Sequence, residues 1–343
     1  MYQFQCDYSE GAHKRIMDRL IETNFEQTVG YGEDSYCAEA RNTIKAVLGR
    51  EDADVHFLVG GTQANATVIS SVLRPHQGVL CAGTGHINVH ETGAIEHSGH
   101  KVMAIPSVNG LLSAESIREA MEKHLAEDGP EHTVQPGMVY ISFSSEVGTV
   151  YSLEQLTSIS NTCKEYGLPL FIDGARMGYG LASEGCDVTI SDIAALADIF
   201  YIGGTKQGAL FGEAVVIVNE SLKKDFRYFI KQNGGMLAKG RLLGIQFQTL
   251  FEDGLYFELS SHAVSLALRI RDAFAAKGYG FLVQSPSNQQ FPILPNDVLE
   301  RLAKDFKFSI WKKVDQTHTA VRFCTSWATS QEAVMELIKS INE

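Results

Sequence analysis

Ile199-Phe200-Tyr201-Ile202-Gly203-Gly204-Thr205-Lys206-Gln207-Gly208 runs from an unbroken apolar stretch into glycines that flank a single lysine. Earlier in the chain, Pro169-Leu170-Phe171-Ile172-Asp173-Gly174-Ala175-Arg176 has the same form: an apolar run, then an acid and a glycine. Short runs that are apolar almost throughout are strands buried on both faces. Polar groups at the C-terminal ends of such strands lie where open α/β sheets bind ligands.

Working outward, five further runs have this character: His56–Val59, Gly78–Cys81, Lys101–Ile105, Met138–Ile141 and Ala214–Val218. Helical patterns separate them, near Ala64–Leu73, Ala114–Leu125, Leu153–Tyr166 and Ile190–Ala197. In the third of these, apolar residues recur at Leu153, Leu156 and Ile159, with Ser152 placed to cap the helix. The alternation predicts an α/β domain with a mostly parallel seven-stranded sheet between helices. After about Gly240 come two long helical segments, Leu242–Phe251 and Leu255–Lys277. A compact alternation follows: strands at Gly280–Val283, Gln290–Ile293, Phe308–Lys312 and Ala320–Cys324, and helices at Asn296–Phe306 and Ser330–Ile341. This reads as a small C-terminal α+β domain, and the expected division is residues 1–245 and 246–343.

Composition narrows the function. Of 343 residues, 44% are apolar and 20% charged, the balance of a globular chain. Twenty-nine basic against 41 acidic residues leave a net charge of −12. That argues against nucleic acid or an anionic membrane as a partner, so any anion site must be built locally. The six scattered cysteines form no C-x-x-C pair and read as reduced thiols. With no secretory pattern at the N-terminus, the expected compartment is the cytoplasm.

Three motifs carry chemistry. Asp173, after its strand, can pair with a protonated ring nitrogen and keep a pyridine cofactor electron-poor; a helix-capping Asp would look the same. Lys206, in a glycine-lined and partly dry pocket, has the setting of an amine nucleophile; a solvated lysine in a turn is the plainer alternative. Val59-Gly60-Gly61-Thr62-Gln63-Ala64 places glycines and a hydroxyl at a helix start, a general phosphate cradle. No P-loop and no G-x-G-x-x-G is present. A cradle, then an acid, then a lysine 33 residues beyond the acid follow the order found in pyridoxal-5′-phosphate enzymes of fold type I.

With Tyr31-Gly32-Glu33-Asp34, Gly61-Thr62-Gln63-Ala64-Asn65, Asp173-Gly174-Ala175-Arg176 and Gly204-Thr205-Lys206, the chain resembles the low-specificity L-threonine aldolases, from Asp7-Tyr8-Ser9 to Arg322. The resemblance implies a fold type I lyase that cleaves β-hydroxy-α-amino acids with pyridoxal phosphate held by Lys206 as a Schiff base. It makes Asp173 the ring-nitrogen partner, Gly61, Thr62 and Gln63 phosphate contacts, and His86, with Glu91 five residues on, the stacking histidine. Arg176, a cofactor neighbour as well, and Arg322 take the positions that hold the substrate carboxylate, and Ser9 falls where a serine also reaches it. Tyr31 matches a loop lent by a partner subunit, and Lys231 a residue reaching a neighbour's phosphate. A homodimer or homotetramer with shared active sites follows.

One segment departs from the family. Where many members have a histidine near the substrate's β-hydroxyl, this chain reads Ser142-Phe143-Ser144-Ser145-Glu146-Val147-Gly148-Thr149. The base for that proton therefore stays open among His86, a water and Glu146, as does the threo or allo preference. β-Elimination, racemisation or amino-group transfer on the same scaffold are rival reactions. His86, His90, His97 and His100 raise a metal reading, but they lack the H-E-x-x-H pattern, and no metal is expected. A non-catalytic binding protein is the remaining alternative.

Overall fold

The structure is a computed structural model that describes residues 1–343. All seven expected runs are strands of one sheet: β1 (Asp54–Leu58), β2 (Gln77–Ala82), β3 (Lys101–Ile105), β4 (Gln135–Ser142), β5 (Leu170–Asp173), β6 (Ile199–Gly203) and β7 (Glu213–Ile217). Their spatial order is β1-β7-β6-β5-β4-β2-β3. Every pairing is parallel except those of β7, which is antiparallel to both β6 and β1. The reason lies in the connections. The other successive sheet strands are joined through helices, whereas β6 returns directly into β7 through Gly204–Gly212, too short a span for a crossover.

The central strands are buried on both faces because successive side chains enter different cores. Ile172, Phe200, Ile202 and Val216 pack on one face beneath helices that include Ser35–Leu48, Leu153–Glu165 and Arg241–Phe251. Phe171, Tyr201, Val215 and Ile217 pack on the other, under helices Gly61–Val72 and Phe226–Gln232. Serine or threonine caps with reciprocal bonds start Ala114–Leu125, Leu153–Glu165 and Ile190–Leu196.

A third core gathers Leu266, Ile270, Phe274, Leu294, Phe323 and Leu337 around a four-stranded sheet of Gln289–Gln290, Ile293–Pro295, Ser309–Lys313 and His318–Cys324. Helix Leu255–Ala276 serves two cores: its first turns join the main core through Leu255 and Leu259, and its later turns join the third. The change of core thus falls inside this helix, beyond the expected boundary at 245/246. The N-terminal segment departs from that division too. Tyr2–Gln3 pairs in parallel with Phe306–Lys307, and Phe4 is buried in the third core.

Two smaller expectations are corrected. Gly280–Val283 forms only an isolated bridge at Phe281 opposite Pro292, whose ring nitrogen has no hydrogen to extend a ladder. Helix Asn296 ends at Leu302 rather than Phe306, because Phe306–Lys307 is drawn into pairing with the N-terminus. No helix is long and apolar enough to cross a membrane.

Candidate active site

The C-terminal ends of β1, β4, β5 and β6 open on a cavity of about 290 Å³. It brings together Gly61, Thr62, His86, Asp173, Arg176 and Lys206, residues drawn from four separate stretches of the sequence.

Asp173 ends β5, level with Ser142 at the end of β4. Its carboxylate accepts hydrogen bonds from the hydroxyls of Tyr140 and Tyr201, the Ala175 N–H (2.9 Å) and Asn65 Nδ2 (3.1 Å). Burial alone would raise its pKa, but the charge of His86 and the two tyrosine hydroxyls hold it below the usual carboxylate value. The group stays ionised at neutral pH. Gly174 is required where the chain leaves the strand, since a Cβ there would meet the Tyr201 carbonyl oxygen at 1.9 Å.

Lys206 follows β6 and reaches the same cavity. No hydrogen bond or ion pair holds its ammonium. Burial lowers its pKa, and the nearby Arg176 charge adds to the effect. Both favour the free amine. Strand β7 places Glu213 opposite Gly203, where its carboxyl accepts from Thr205 Oγ1 (2.8 Å) and the Gly204 N–H (3.1 Å). Burial pushes this acid up to about 8, against the pull of the Lys206 charge.

Helix Gly61–Val72 points its N-terminus at the cavity, and no side chain caps that end. Its first N–H groups, with the macrodipole behind them, suit an anion. A Cβ on Gly61 would stand 3.1 Å from the Tyr201 hydroxyl, so glycine keeps the cradle open. The Gln63 side chain turns away from the cavity. Its Oε1 accepts from the Val59 N–H (3.0 Å) and its Nε2 donates to the Asn233 carbonyl (3.0 Å), bracing the loop instead of facing the cavity.

His86 lines the opposite wall with Nδ1 2.7 Å from Glu91 Oε1. Asn65 Nδ2 donates to that same oxygen (2.7 Å) as well as to Asp173, so one amide ties the histidine's anchor to the β5 carboxylate. Glu91 Oε2 and Asn65 Oδ1 are buried without partners.

Arg176 lines the cavity but is already engaged. Its Nε and Nη2 donate to Asp7 at 2.7 and 3.0 Å, and Asn288 Nδ2 donates to the same carboxylate (2.9 Å). Burial works against an ionised Asp7, yet the Arg176 and Lys206 charges bring its pKa down to about 2. The end of the guanidinium, with both Nη1 hydrogens and the second Nη2 hydrogen, is left for a ligand.

The remaining expected residues lie outside the cavity. Arg322 donates to Gln289 Oε1 (3.2 Å) and the Gln5 carbonyl (2.9 Å) and packs over Trp311, with its Nε buried and unpartnered. Ser9 Oγ sits 3.2 Å from Cys6 Sγ, while its neighbour Tyr8 reaches the wall. Tyr31 is about half exposed at φ 63°, with Lys231 Nζ 5.1 Å from its ring centroid. Asp7, Asn65, Tyr140, Tyr201 and Glu213 escaped the sequence reading. Tyr140 and Tyr201 had a local signal, being hydroxyl-bearing residues inside otherwise apolar strands, and Glu213 opens one.

The residues present fit the expected pyridoxal phosphate. An unpaired buried amine, an ionised carboxylate and an uncapped helix start share one cavity, and these match an aldehyde, a protonated ring nitrogen and a phosphate in chemistry.

Comparison with known proteins agrees. Residues 3–283 match the family model described as beta-eliminating lyase. A low specificity L-threonine aldolase of a Pseudomonas strain is 32% identical over 99% of this chain and 96% of its own length. A solved threonine aldolase of Leishmania major superposes with a TM-score of 0.97 at 44% identity, covering 100% of this chain and 99% of that one. An aspartate aminotransferase of Thermus thermophilus, a fold type I enzyme, superposes at 0.72 with 14% identity over 99% of this chain and 90% of its own, and shares the fold alone.

Proposed function

Since the chain belongs to the beta-eliminating lyase family, alongside the low-specificity L-threonine aldolases, we propose that it cleaves β-hydroxy-α-amino acids at the Cα–Cβ bond. L-Threonine or L-allo-threonine gives glycine and acetaldehyde. The observation that carries this reading is the meeting of the unpaired Lys206 amine and the ionised Asp173 carboxylate on one cavity.

Pyridoxal phosphate, when bound, supplies an electron sink for the pair left on Cα. The roles of this chain's residues follow from their settings. Lys206, whose pKa burial lowers, would hold the cofactor's aldehyde through its amine. Asp173, kept ionised by its four donors, holds a proton on a ring nitrogen. The uncapped N-terminus at Gly61 and Thr62 binds phosphate. His86, fixed by Glu91 at Nδ1, lines the cavity and would flank a bound cofactor. Arg176 offers Nη1 to the substrate carboxylate and so sets which bond at Cα is presented for cleavage. Arg322 and Ser9 complete that grip only after a movement toward the cavity.

The working form is a homodimer or homotetramer in the cytoplasm. Exposed Phe25, Val29, Tyr31 and Tyr228 support an assembly, and Tyr31 and Lys231 lie outside their own chain's cavity, free to serve a neighbour's. The test is to incubate the protein and pyridoxal phosphate with L-threonine, L-allo-threonine and phenylserine and assay glycine and aldehyde. The family match also admits β-elimination; pyruvate and ammonia from serine, with no aldehyde from threonine, would establish that reading in its place.

A further inference from the structure

Three carboxyl groups line the cavity: Asp173, Glu213 and Glu146. They differ in what their oxygens are doing. Both oxygens of Asp173 are taken by its four donors. Glu213 has one oxygen on Thr205 and the other on Gly204. Glu146 is buried, yet both of its bonds from other residues go to one oxygen: Oε1 accepts from Ser142 Oγ (2.6 Å) and the His86 N–H (2.9 Å). Oε2 takes no hydrogen bond from any other residue, and no cation pairs with the group. This is a carboxyl held rigidly by one oxygen with the other left for a guest.

We propose that Oε2 of Glu146 is the acceptor of the substrate's β-hydroxyl proton. This rests on the aldol-cleaving reading above and adds to it the residue that starts the bond cleavage. The O–H proton passes to Oε2, and the O–H pair becomes the second C–O bond of the departing aldehyde as Cα–Cβ breaks. The Cα–Cβ pair remains with Cα and is discharged by one proton, which makes glycine, so no net proton is consumed. His86, with Nδ1 committed to Glu91, offers Nε2 as the rival base, and the test below separates the two.

The setting suits the task. Burial raises the acid above the usual glutamate value, and the Asp173 charge adds to the rise, while Ser142 and the His86 N–H restrain it. Other ionisable groups around it are Asp173, His86, Tyr140, Tyr151 and Cys81. Asp173 is lowered, both tyrosines are raised and Cys81 is pushed up to about 12. A carboxyl infrared band distinguishes Glu146 from an imidazole.

The test compares the parent, Glu146→Gln and Ser142→Ala. With pyridoxal phosphate present, acetaldehyde release from L-threonine should fall about 100-fold or more in Glu146→Gln. Calorimetric affinity for glycine, which has no β-hydroxyl, should stay within roughly threefold. In the cofactor-free protein, the carboxyl band that disappears in Glu146→Gln should titrate at higher pH in Ser142→Ala, since the charged form loses a donor. The acid limb of the rate profile should move the same way. Threonine cleavage by Glu146→Gln within about threefold of the parent overturns the inference; so does an equal loss of glycine affinity, the mark of a purely structural acid. If Glu146→Gln does not fold, Ser142→Ala decides, and an unmoved acid limb is the negative result. A parent that releases no aldehyde defeats the underlying function, whereas a competent parent beside an unimpaired Glu146→Gln defeats only this role.

Discussion

Arg176 grips Asp7 with two parallel hydrogen bonds, Nε to Oδ2 at 2.7 Å and Nη2 to Oδ1 at 3.0 Å, across 169 residues of sequence. The pair is almost fully buried. It aims the guanidinium as a fixed fork, and it makes a residue of the N-terminal segment part of the site's construction.

Removing Asp7 therefore leaves a buried, unpaired cation. Asp7→Ala should lower unfolding free energy by about 3 kcal/mol or more and depress threonine turnover, as read by urea denaturation and aldehyde release. The pH dependence follows from the depressed pKa. Folded at about 2 against an ordinary 3.8, the carboxylate's contribution is complete above pH 3.8 and is lost as pH falls toward 2. An unchanged acid unfolding midpoint in Asp7→Asn would contradict this.

Lys206→Ala should abolish both threonine cleavage and the visible absorbance of a lysine-linked pyridoxal, while the fold survives, because the amine makes no stabilising bond. Absorbance spectra with and without added glycine check it. Turnover persisting in the variant would remove Lys206 from the chemistry.

Arg322 lies outside the cavity, bound to Gln289 and the Gln5 carbonyl. If its guanidinium swings onto the substrate carboxylate, Arg322→Ala should cut kcat/KM for threonine by about 10-fold or more, the worth of one charged hydrogen bond. A value equal to the parent's would confine Arg322 to its contacts with Trp311 and Gln289.

Glu213 yields a prediction of opposite sign to Asp7. Its pKa is raised in the folded state to about 8 from 4.5, so its contribution is whole below pH 4.5 and is lost as pH climbs through 8. The cofactor-free parent should lose roughly 2–4 kcal/mol over that window, and Glu213→Gln should flatten the loss. Urea midpoints at pH 5 and pH 9 measure the difference.

All seven strands of the main sheet were legible because strands buried on both faces spell themselves as apolar runs. The direction of β7 was not, since the pattern of a run carries no sense of travel; the brevity of Gly204–Gly212 was the available clue. Asp173, Lys206 and Gly61 were legible because each stands just after an apolar run and beside glycines. Asp7 and Asn65 were not legible as site residues, because their partners lie 169 and 108 residues away and only the folded chain brings them close. The bracing role of the Gln63 side chain was not legible, because a polar residue in a cradle motif can serve the loop's own carbonyls and amides as readily as a ligand.

The pairing of Tyr2–Gln3 with Phe306–Lys307 has a temporal side. A chain made from its N-terminus carries Asp7 from the outset, but the strand that moors this segment and Asn288, which steadies the Asp7 carboxylate, are among the later residues to be synthesised. Until they arrive, Arg176 has no settled partner. Catalytic competence should therefore emerge only once the stretch from Asn288 to Lys307 has been made and has met the segment around Asp7.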